Sequence, residues 1–267
     1  MYYVTHPQGP IDNLPPENIL LAVDELNNEA GRGRVIYQYT PHMDPECPVN
    51  LYFDMKSSLG ARYVLLGALM ARARQLREIA PDVPARVYTI VDPRDTESQA
   101  FYTSAGMSLQ NGEMMVELKR PEYESRIPMG AEVIPLPLNT DEEKLAFLTR
   151  LSNNDIRHID FSRLQQFCRS PHFQLLGMVR DNQVVSELMM VGNGDTCELM
   201  GIYTHSAYRR QGLARALVHR SMEILSMENA NRFVARVMTR SGPQMGLMHA
   251  FQAQELEMIA LFPEMTM

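Results

Sequence analysis

Hydrophobic and polar positions in the second half of the chain recur with strand and helix periods. Apolar runs at residues 174–179 and 184–191 flank the polar segment 180–183, which predicts two strands joined by a tight turn. A third strand is predicted at 197–204. Apolar residues then follow at helical spacing and predict a helix of about four turns. They are Leu213, Ala214, Leu217, Val218, Ile224 and Leu225.

The rest of this half contains further elements of both kinds. They are predicted strands at 131–136, 233–238 and 256–262 and predicted helices at 141–151 and 242–254. Thr140 is a candidate N-cap residue for the first of these helices. The order, β-α-(α)-β-β-β-α-β-α-β, is typical of an α/β domain built on one mixed sheet.

The first half of the chain ends with the same order of elements. Apolar residues from Leu65 to Ile79 lie at helical spacing and predict a long amphipathic helix. The other elements are predicted strands at 51–55, 86–91 and 114–118 and a predicted helix at 96–105. We therefore interpret the halves as two copies of one unit, with Gly67 aligned to Gly212 and Tyr102 to Phe251.

Chain length agrees with a duplication. The chain has 267 residues, whereas a typical domain has about 100–200. Residues 119–130 are polar, contain two prolines and have neither helical nor strand periodicity, as expected of a boundary segment. We predict one domain at residues 1–125 and a second at 126–267.

Composition and charge limit the cellular compartments and the classes of binding partner that the sequence is compatible with. Cys47, Cys168 and Cys197 are odd in number and widely spaced, so the sequence predicts neither a disulfide framework nor a metal site. The amino terminus has no signal-peptide pattern and no apolar run is long enough to span a membrane, so we expect a cytoplasmic protein without membrane contact. The formal net charge of −7 disfavours nucleic acid as a partner.

One stretch of this acidic chain is locally positive. No acidic residue lies between Glu198 and Glu223, and the window contains Arg209, Arg210, Arg215 and Arg220. Within it, a predicted strand leads into a basic loop, and Gly212 opens the predicted helix. The first turn of a helix has unpaired backbone N–H groups and a positive dipole end, which favour an anion. The segment predicts a phosphate-binding loop; a surface turn before a solvated helix face is the alternative.

This loop resembles the acyl-CoA loop of the GCN5-related N-acetyltransferase (GNAT) superfamily, whose pattern is Arg/Gln-x-x-Gly-x-Gly/Ala. Arg209, Gly212 and Ala214 fill the defined positions. The segment 100–107 is also similar to the late Tyr-x-x-x-Gly-Phe motif of the superfamily. The resemblance implies an α/β (α+β) fold of two GNAT-like domains in tandem, each a mixed, mostly antiparallel sheet flanked by helices.

The two copies differ where this superfamily has its functional residues. Residues 64–67, Val-Leu-Leu-Gly, offer no cation where the second copy has Arg-Arg-Gln-Gly at 209–212, so we expect a degenerate first copy. In the alignment of the two halves, Phe251 corresponds to Tyr102. Tyr102 matches the late-motif tyrosine, which in this superfamily often protonates the leaving thiolate. Water or the hydroxyl of Tyr203, Tyr208 or Ser241 would have to replace it.

The resemblance implies that acetyl-CoA donates an acetyl group to a primary amine by direct attack. The implied cofactor contacts are Ile202, Tyr203, Thr204, Arg209, Arg210, Gln211, Gly212, Leu213, Ala214 and Arg215. The amine must attack in its neutral form, so a general base is useful. Glu198 is the first candidate for that base, and His205 and His249 are alternatives.

Other functions stay open at this point. Phe251 motivates a non-catalytic acyl-CoA-binding or sensor protein. A Fem-type aminoacyl transferase shares the tandem fold but uses charged tRNA, which the acidic balance disfavours. We expect a small-molecule or peptide amine as the acceptor, near Asp155, Arg157, His158 and Asp160, and a homodimer is a further expectation.

Overall fold

The computed structural model describes residues 1–41, 44–123, 126–153 and 159–267. In chain order, its elements are β1 (Tyr2–Thr5), β2 (Ile19–Asp24), β3 (Glu29–Tyr39), β4 (Val49–Ser57), α1 (Arg62–Arg77), β5 (Ala85–Tyr88), α2 (Thr96–Ser104), β6 (Gly112–Leu118), β7 (Ala131–Pro135), α3 (Asp141–Asn153), α4 (Phe161–Phe167), β8 (His172–Arg180), β9 (Gln183–Asn193), β10 (Thr196–Thr204), α5 (Leu213–Met227), β11 (Arg232–Met238), α6 (Gly242–Ala250), β12 (Gln254–Leu261) and β13 (Glu264–Thr266). The strands form two mixed sheets flanked by helices, which confirms the predicted fold class.

The first compact unit comprises Met1–Gly112 and Ala260–Met267. Its strand order is β1-β2-β3-β4-β5-β13, and only β4 and β5 run parallel. The helix α1 buries an apolar stripe against this sheet, which includes Leu65 and Leu69. A mixed, mostly antiparallel sheet with packed helices therefore forms this unit.

The second compact unit comprises Glu113–Ile259, with strand order β12-β6-β11-β10-β9-β8-β7. Successive residues of β9 belong to different apolar clusters, because side chains alternate between the faces of a sheet. Leu188 and Met190 pack with the cluster of α5, whereas Met189 packs with that of α3 and α4. Helices therefore cover both faces, α5 on one and α3 with α4 on the other.

Each unit includes a strand from the other half of the sequence. The strand β6 ends the first half of the chain, yet it pairs with β11, with Leu118 opposite Phe233. The terminal strand β13 pairs with β5, with Met265 opposite Val87. The compact units consequently differ from the predicted domains 1–125 and 126–267, because residues 113–125 and 260–267 lie with the opposite half.

The predicted pairing of Gly67 with Gly212 is wrong. Gly67 lies inside α1, whose N-cap residue is Ala61, whereas Gly212 is the N-cap residue of α5. Hydrophobic spacing from Leu65 onward does not mark the first turn of α1, because that turn is partly exposed. The first copy still has no Arg-Arg-Gln-Gly segment at the start of this helix.

The predicted pairing of Tyr102 with Phe251 is also wrong. The N-cap residues of α2 and α6 are Asp95 and Ser241, which are 146 positions apart (241 minus 95). The same offset places Met248 at the position of Tyr102. Helix α6 ends at Ala250, earlier than predicted, because β12 starts at Gln254. The conclusion that the second copy lacks this tyrosine is unaffected.

Several local signals are confirmed. Asp181 and Asn182 have φ values of 51° and 58°, as a two-residue hairpin turn requires. Thr140 and Glu143 form a capping box, in which Thr140 Oγ1 accepts from the Glu143 amide at 3.2 Å and the Glu143 carboxylate accepts from the Thr140 amide at 2.9 Å. The strands β1, β2, β3 and β13 were not predicted. None of the helices in the described ranges is long and apolar enough to cross a bilayer.

Candidate functional site

The candidate site lies where β10 and β11 separate. Their parallel register runs from Thr196 opposite Arg232 to Leu199 opposite Ala235 and stops there. A bulge between Leu199 and Gly201 marks this point, and β10 continues to Thr204 in register with β9 only. Beyond the bulge, the edge of Gly201–Thr204 that faces away from β9 therefore has no residue of β11 in register with it. An extended ligand can pair with such an edge.

Two side chains fix the last residues of β10. The buried hydroxyl of Ser186 donates to the Tyr203 carbonyl at 2.6 Å and lies 2.9 Å from Thr204 Oγ1. Arg209 Nε donates to the Thr204 carbonyl at 3.0 Å. The strand end and the loop that follows it are consequently held as one piece.

The loop after β10 contains two left-handed residues, on either side of Gln211. Arg210 has a φ of 60° and Gly212 a φ of 79°. This conformation is costly for a residue with a side chain, so Arg210 stores backbone strain. Backbone N–H groups next to left-handed residues can form a concavity that suits anions. A Cβ added at Gly212 would meet nothing within 4 Å, so the space beside it is open.

Helix α5 begins directly after this loop. Gly212 is its N-cap residue, and the Gly212 carbonyl accepts from the Ala216 amide at 2.9 Å. The first-turn amides of Leu213, Ala214 and Arg215 have no intrahelical acceptor, and the helix dipole adds positive potential there. The first turn contains no acidic residue. This end of α5 can accept a phosphate group.

The predicted cationic residues differ in what they contact. Arg210 is exposed, and Arg215 donates to the Tyr123 hydroxyl. Gln211 accepts from Arg180 Nη1 at 2.6 Å, and the Arg180 guanidinium lies 5.9 Å from the ring centre of Tyr208. Arg180 was not predicted as a site residue, because it lies at the end of β8, far from the loop along the chain. Its positive charge adds to that of the loop.

The predicted catalytic residues lie at two places. Glu198 is on β10 before the bulge, and its Oε1 is 3.0 Å from Arg236 Nε on β11. His205 and Tyr208 lie after β10, beside the arginine loop, with ring centres 6.0 Å apart. His205 Nδ1 accepts from the Ala207 amide at 3.3 Å. The structure thus groups the imidazole and the phenol with the loop and keeps Glu198 with the paired part of β10.

Glu187 is a candidate site residue that was not predicted from the sequence. It lies on β9 opposite Tyr203, and only 9% of its surface is exposed. Arg150 of α3 places its Nε 2.7 Å from Glu187 Oε1. Burial raises the pKa of the Glu187 carboxyl, and the Arg150 guanidinium partly offsets this increase. The sequence does contain one indication of a special role, because Glu187 is the only charged residue in the apolar run 184–191.

Burial also raises the pKa of the Tyr203 hydroxyl, with the Arg209 charge acting in the opposite direction. Ser241 is buried at the N-cap of α6, and His249 is exposed on the same helix. Asp160 caps α4 by accepting from the Arg163 amide at 2.8 Å. The predicted acceptor residues Asp155, Arg157 and His158 lie outside the described residues.

Comparison with known proteins shows a similarity that covers much of the second unit. A model of the acetyltransferase (GNAT) family matches residues 141–250, from the start of α3 to the end of α6. Residues 141–250 are therefore similar to the GNAT family. The predicted resemblance is thereby confirmed, and the Arg209 to Ala214 segment lies within the GNAT match.

Solved GNAT structures resemble the whole chain. A GCN5-related N-acetyltransferase from Sphaerobacter thermophilus has 11% identity and a TM-score of 0.51, over 96% of this chain and 82% of that one. Eis1 from Mycobacterium abscessus has 10% identity and a TM-score of 0.56, over 98% and 73%. A tandem GNAT protein from the clavulanic acid biosynthesis pathway has 15% identity and a TM-score of 0.46, over 93% and 82%. The first two likenesses show a shared fold, and no curated protein matches the chain.

Proposed function

We propose that the protein is an acetyl-CoA-dependent N-acetyltransferase that transfers the acetyl group to a primary amine. The observation that carries this proposal is the open, left-handed Gly212 at the start of α5, next to the separated edge of β10. Similarity to the GNAT family supplies the context, because the proposed loop lies within the matched residues.

The residues present fit acetyl-CoA. Its phosphates suit the amides of Gly212 to Arg215 and the nearby guanidinium groups of Arg209, Arg210 and Arg180. Its amide-containing arm suits the edge of Gly201–Thr204, where Ile202, Tyr203 and Thr204 supply backbone groups. One of these acceptors is taken, since the Thr204 carbonyl already binds Arg209.

Acetyl-CoA supplies an activated acyl carbon when it is bound. The chain's own contribution is position and proton handling. Backbone N–H groups at the bulge between Leu199 and Gly201 can polarise a carbonyl placed there. Glu198, His205 and Tyr208 stay the predicted proton-handling groups, with Glu198 the one beside the bulge.

A second candidate function has a specific observation in its favour. Met248 occupies the α6 position that Tyr102 occupies in α2, so this position offers no proton to a leaving thiolate. A protein that binds acyl-CoA without transferring the group would tolerate this residue. The transferase proposal requires water or another hydroxyl, such as that of Tyr203, Tyr208 or Ser241.

The test combines binding and turnover. Calorimetry with acetyl-CoA should give a complex with the wild type and none with Gly212→Glu, because the substitution adds bulk, strain and negative charge at the phosphate position. Gly67→Glu is the matched control, since Gly67 is exposed on α1 with nothing within 4 Å of an added Cβ. Normal binding by Gly212→Glu would refute the loop assignment.

Turnover separates the two candidate functions. Thiol release from acetyl-CoA is measured across a panel of primary amines: spermidine, glucosamine and a lysine-containing peptide. Amine-dependent release supports the transferase. Binding of acetyl-CoA without release on any amine supports the binding or sensor protein.

A further inference from the structure

Two carboxylates flank the bulge of β10 on one face of the sheet. Gly201 is opposite Met189 of β9, Glu198 is opposite Val191, and Tyr203 is opposite Glu187. Glu187 and Val191 each lie two residues from Met189, which is about 7 Å along a strand. Met189 packs with the cluster under α3 and α4, so both carboxylates lie on the face that these helices cover.

The two carboxylates have different surroundings. Glu198 is paired with Arg236 of the neighbouring strand β11. The neighbour of Glu187 on β8 is Gly177, and the space beside that glycine is filled by the apolar side chain of Leu136. The carboxylate of Glu187 therefore has an apolar wall on the β8 side.

Charged and titratable groups reach Glu187 from two described elements. Arg150 approaches from α3 with a 2.7 Å hydrogen bond, and Tyr203 lies opposite on β10. The Arg150 side chain is 46% exposed, whereas that of Glu187 is 11% exposed. The guanidinium side of this pair is therefore open to solvent, whereas the carboxylate is buried.

We propose that Glu187 binds the ammonium group of the acceptor and takes its proton, so that the acceptor is an aliphatic primary amine that is a cation in neutral solution. This inference rests on the proposed N-acetyltransferase function. Tyr203, opposite Glu187 on the same face of the sheet, is an aromatic residue of the kind that binds cations through its ring.

The proton step balances in charge and atoms. One N–H bond of the ammonium breaks, one O–H bond forms at the Glu187 carboxylate, and a neutral amine remains. The amine nitrogen bonds to the acyl carbon, the carbon–sulfur bond breaks, and a second amine proton goes to the thiolate. Glu187 then releases its proton to solvent, so the full reaction yields amide, free thiol and one proton. Burial, which favours the protonated form of Glu187, suits a temporary proton acceptor.

The experiment compares wild type, Glu187→Gln and the control Glu257→Gln, which removes an exposed carboxylate of β12. Three quantities are measured: the acetyl-CoA dissociation constant, kcat/KM for the amine panel and the Tm without ligand. We expect Glu187→Gln to lose about 100-fold or more in kcat/KM. Its acetyl-CoA affinity should be unchanged, and its Tm equal to or above that of the wild type, because a buried charge is removed.

The outcomes are distinguishable. A lower Tm with kcat/KM within about threefold of wild type would show that Glu187 only pairs with Arg150, and would overturn the inference. Loss of turnover in Glu198→Gln but not in Glu187→Gln would also overturn the inference. If the wild type binds acetyl-CoA and acetylates no amine, the proposed function itself fails. Glu257→Gln should match the wild type in all three quantities.

Discussion

The Nε atom of Arg209 lies 3.0 Å from the carbonyl oxygen of Thr204 and donates a hydrogen bond to it. This bond joins the first cation of the loop to the last residue of β10. The guanidinium is thereby oriented before any ligand arrives, which lowers the conformational entropy that binding must remove. Arg209 thus acts both on the backbone and on the proposed phosphate site.

Replacing Arg209 should weaken acetyl-CoA binding. A hydrogen bond from a charged group contributes about 1.5–3 kcal/mol, so we expect Arg209→Ala to raise the dissociation constant about 10- to 100-fold in calorimetry. The dissociation constant of Arg209→Lys should lie between those of the wild type and Arg209→Ala, because lysine keeps the positive charge but lacks the planar set of N–H donors of the guanidinium. Arg232→Ala, which removes a cation paired with Glu117 on the surface, is the control and should bind normally.

A substitution at Arg210 can separate the effect of its side chain on binding from the effect of its backbone conformation on stability. Its φ of 60° favours glycine, so Arg210→Gly should relieve strain at a site where the new residue costs little. We expect unchanged or slightly higher stability in denaturant unfolding and a dissociation constant for acetyl-CoA several-fold higher, because one charge is lost. A clear loss of stability would contradict the strain assignment.

The pH dependence of turnover should report on Glu187 and Arg150. Glu187 accepts a proton only when ionised, so kcat/KM should fall as pH falls through its raised pKa. Arg150 lowers this pKa, so Arg150→Gln should move the acidic limb to higher pH. The measurement is a kcat/KM profile with the best amine of the panel. An acidic limb at the same pH in both proteins would argue against Glu187 as its source.

His219 should make the second unit less stable in mild acid. It is buried on α5, with its ring 5.2 Å from that of Tyr123 and its Nε2 3.7 Å from Glu223 Oε1. Burial, with the Arg120 and Arg215 charges, lowers the pKa of His219, and Glu223 opposes this. The neutral form is therefore favoured in the folded state.

The sign of the effect follows from linkage. The stabilisation is present above the unfolded-state pKa of about 6.5 and is lost as pH falls from there toward the lower folded-state value. We expect the free energy of unfolding of the wild type to fall over this range more steeply than that of His219→Phe, measured by urea denaturation. The exposed His249→Phe serves as the control and should follow the wild type.

Structural features that depend on only a few neighbouring residues could be predicted from the sequence. The capping box of Thr140 and Glu143, the Asp181-Asn182 turn and the Gly212 helix start depend on neighbouring backbone groups, so local composition specifies them. The strand β3 was not predicted, since Glu29–Tyr39 mixes charged and apolar residues. The strand β1 has only four residues, and a strand depends for much of its stability on the neighbours it packs and pairs with.

The sequence by itself determined the order of elements in the second unit and the loop from Arg209 to Ala214, because helical periodicity and a glycine at a helix start are local properties. Tertiary structure decided which strands complete each sheet, since β6 and β13 find their partners in the other half of the chain. It also brought Arg180 to the loop and placed Glu187 opposite Tyr203. These pairings depend on sheet register, which joins residues that no local pattern relates.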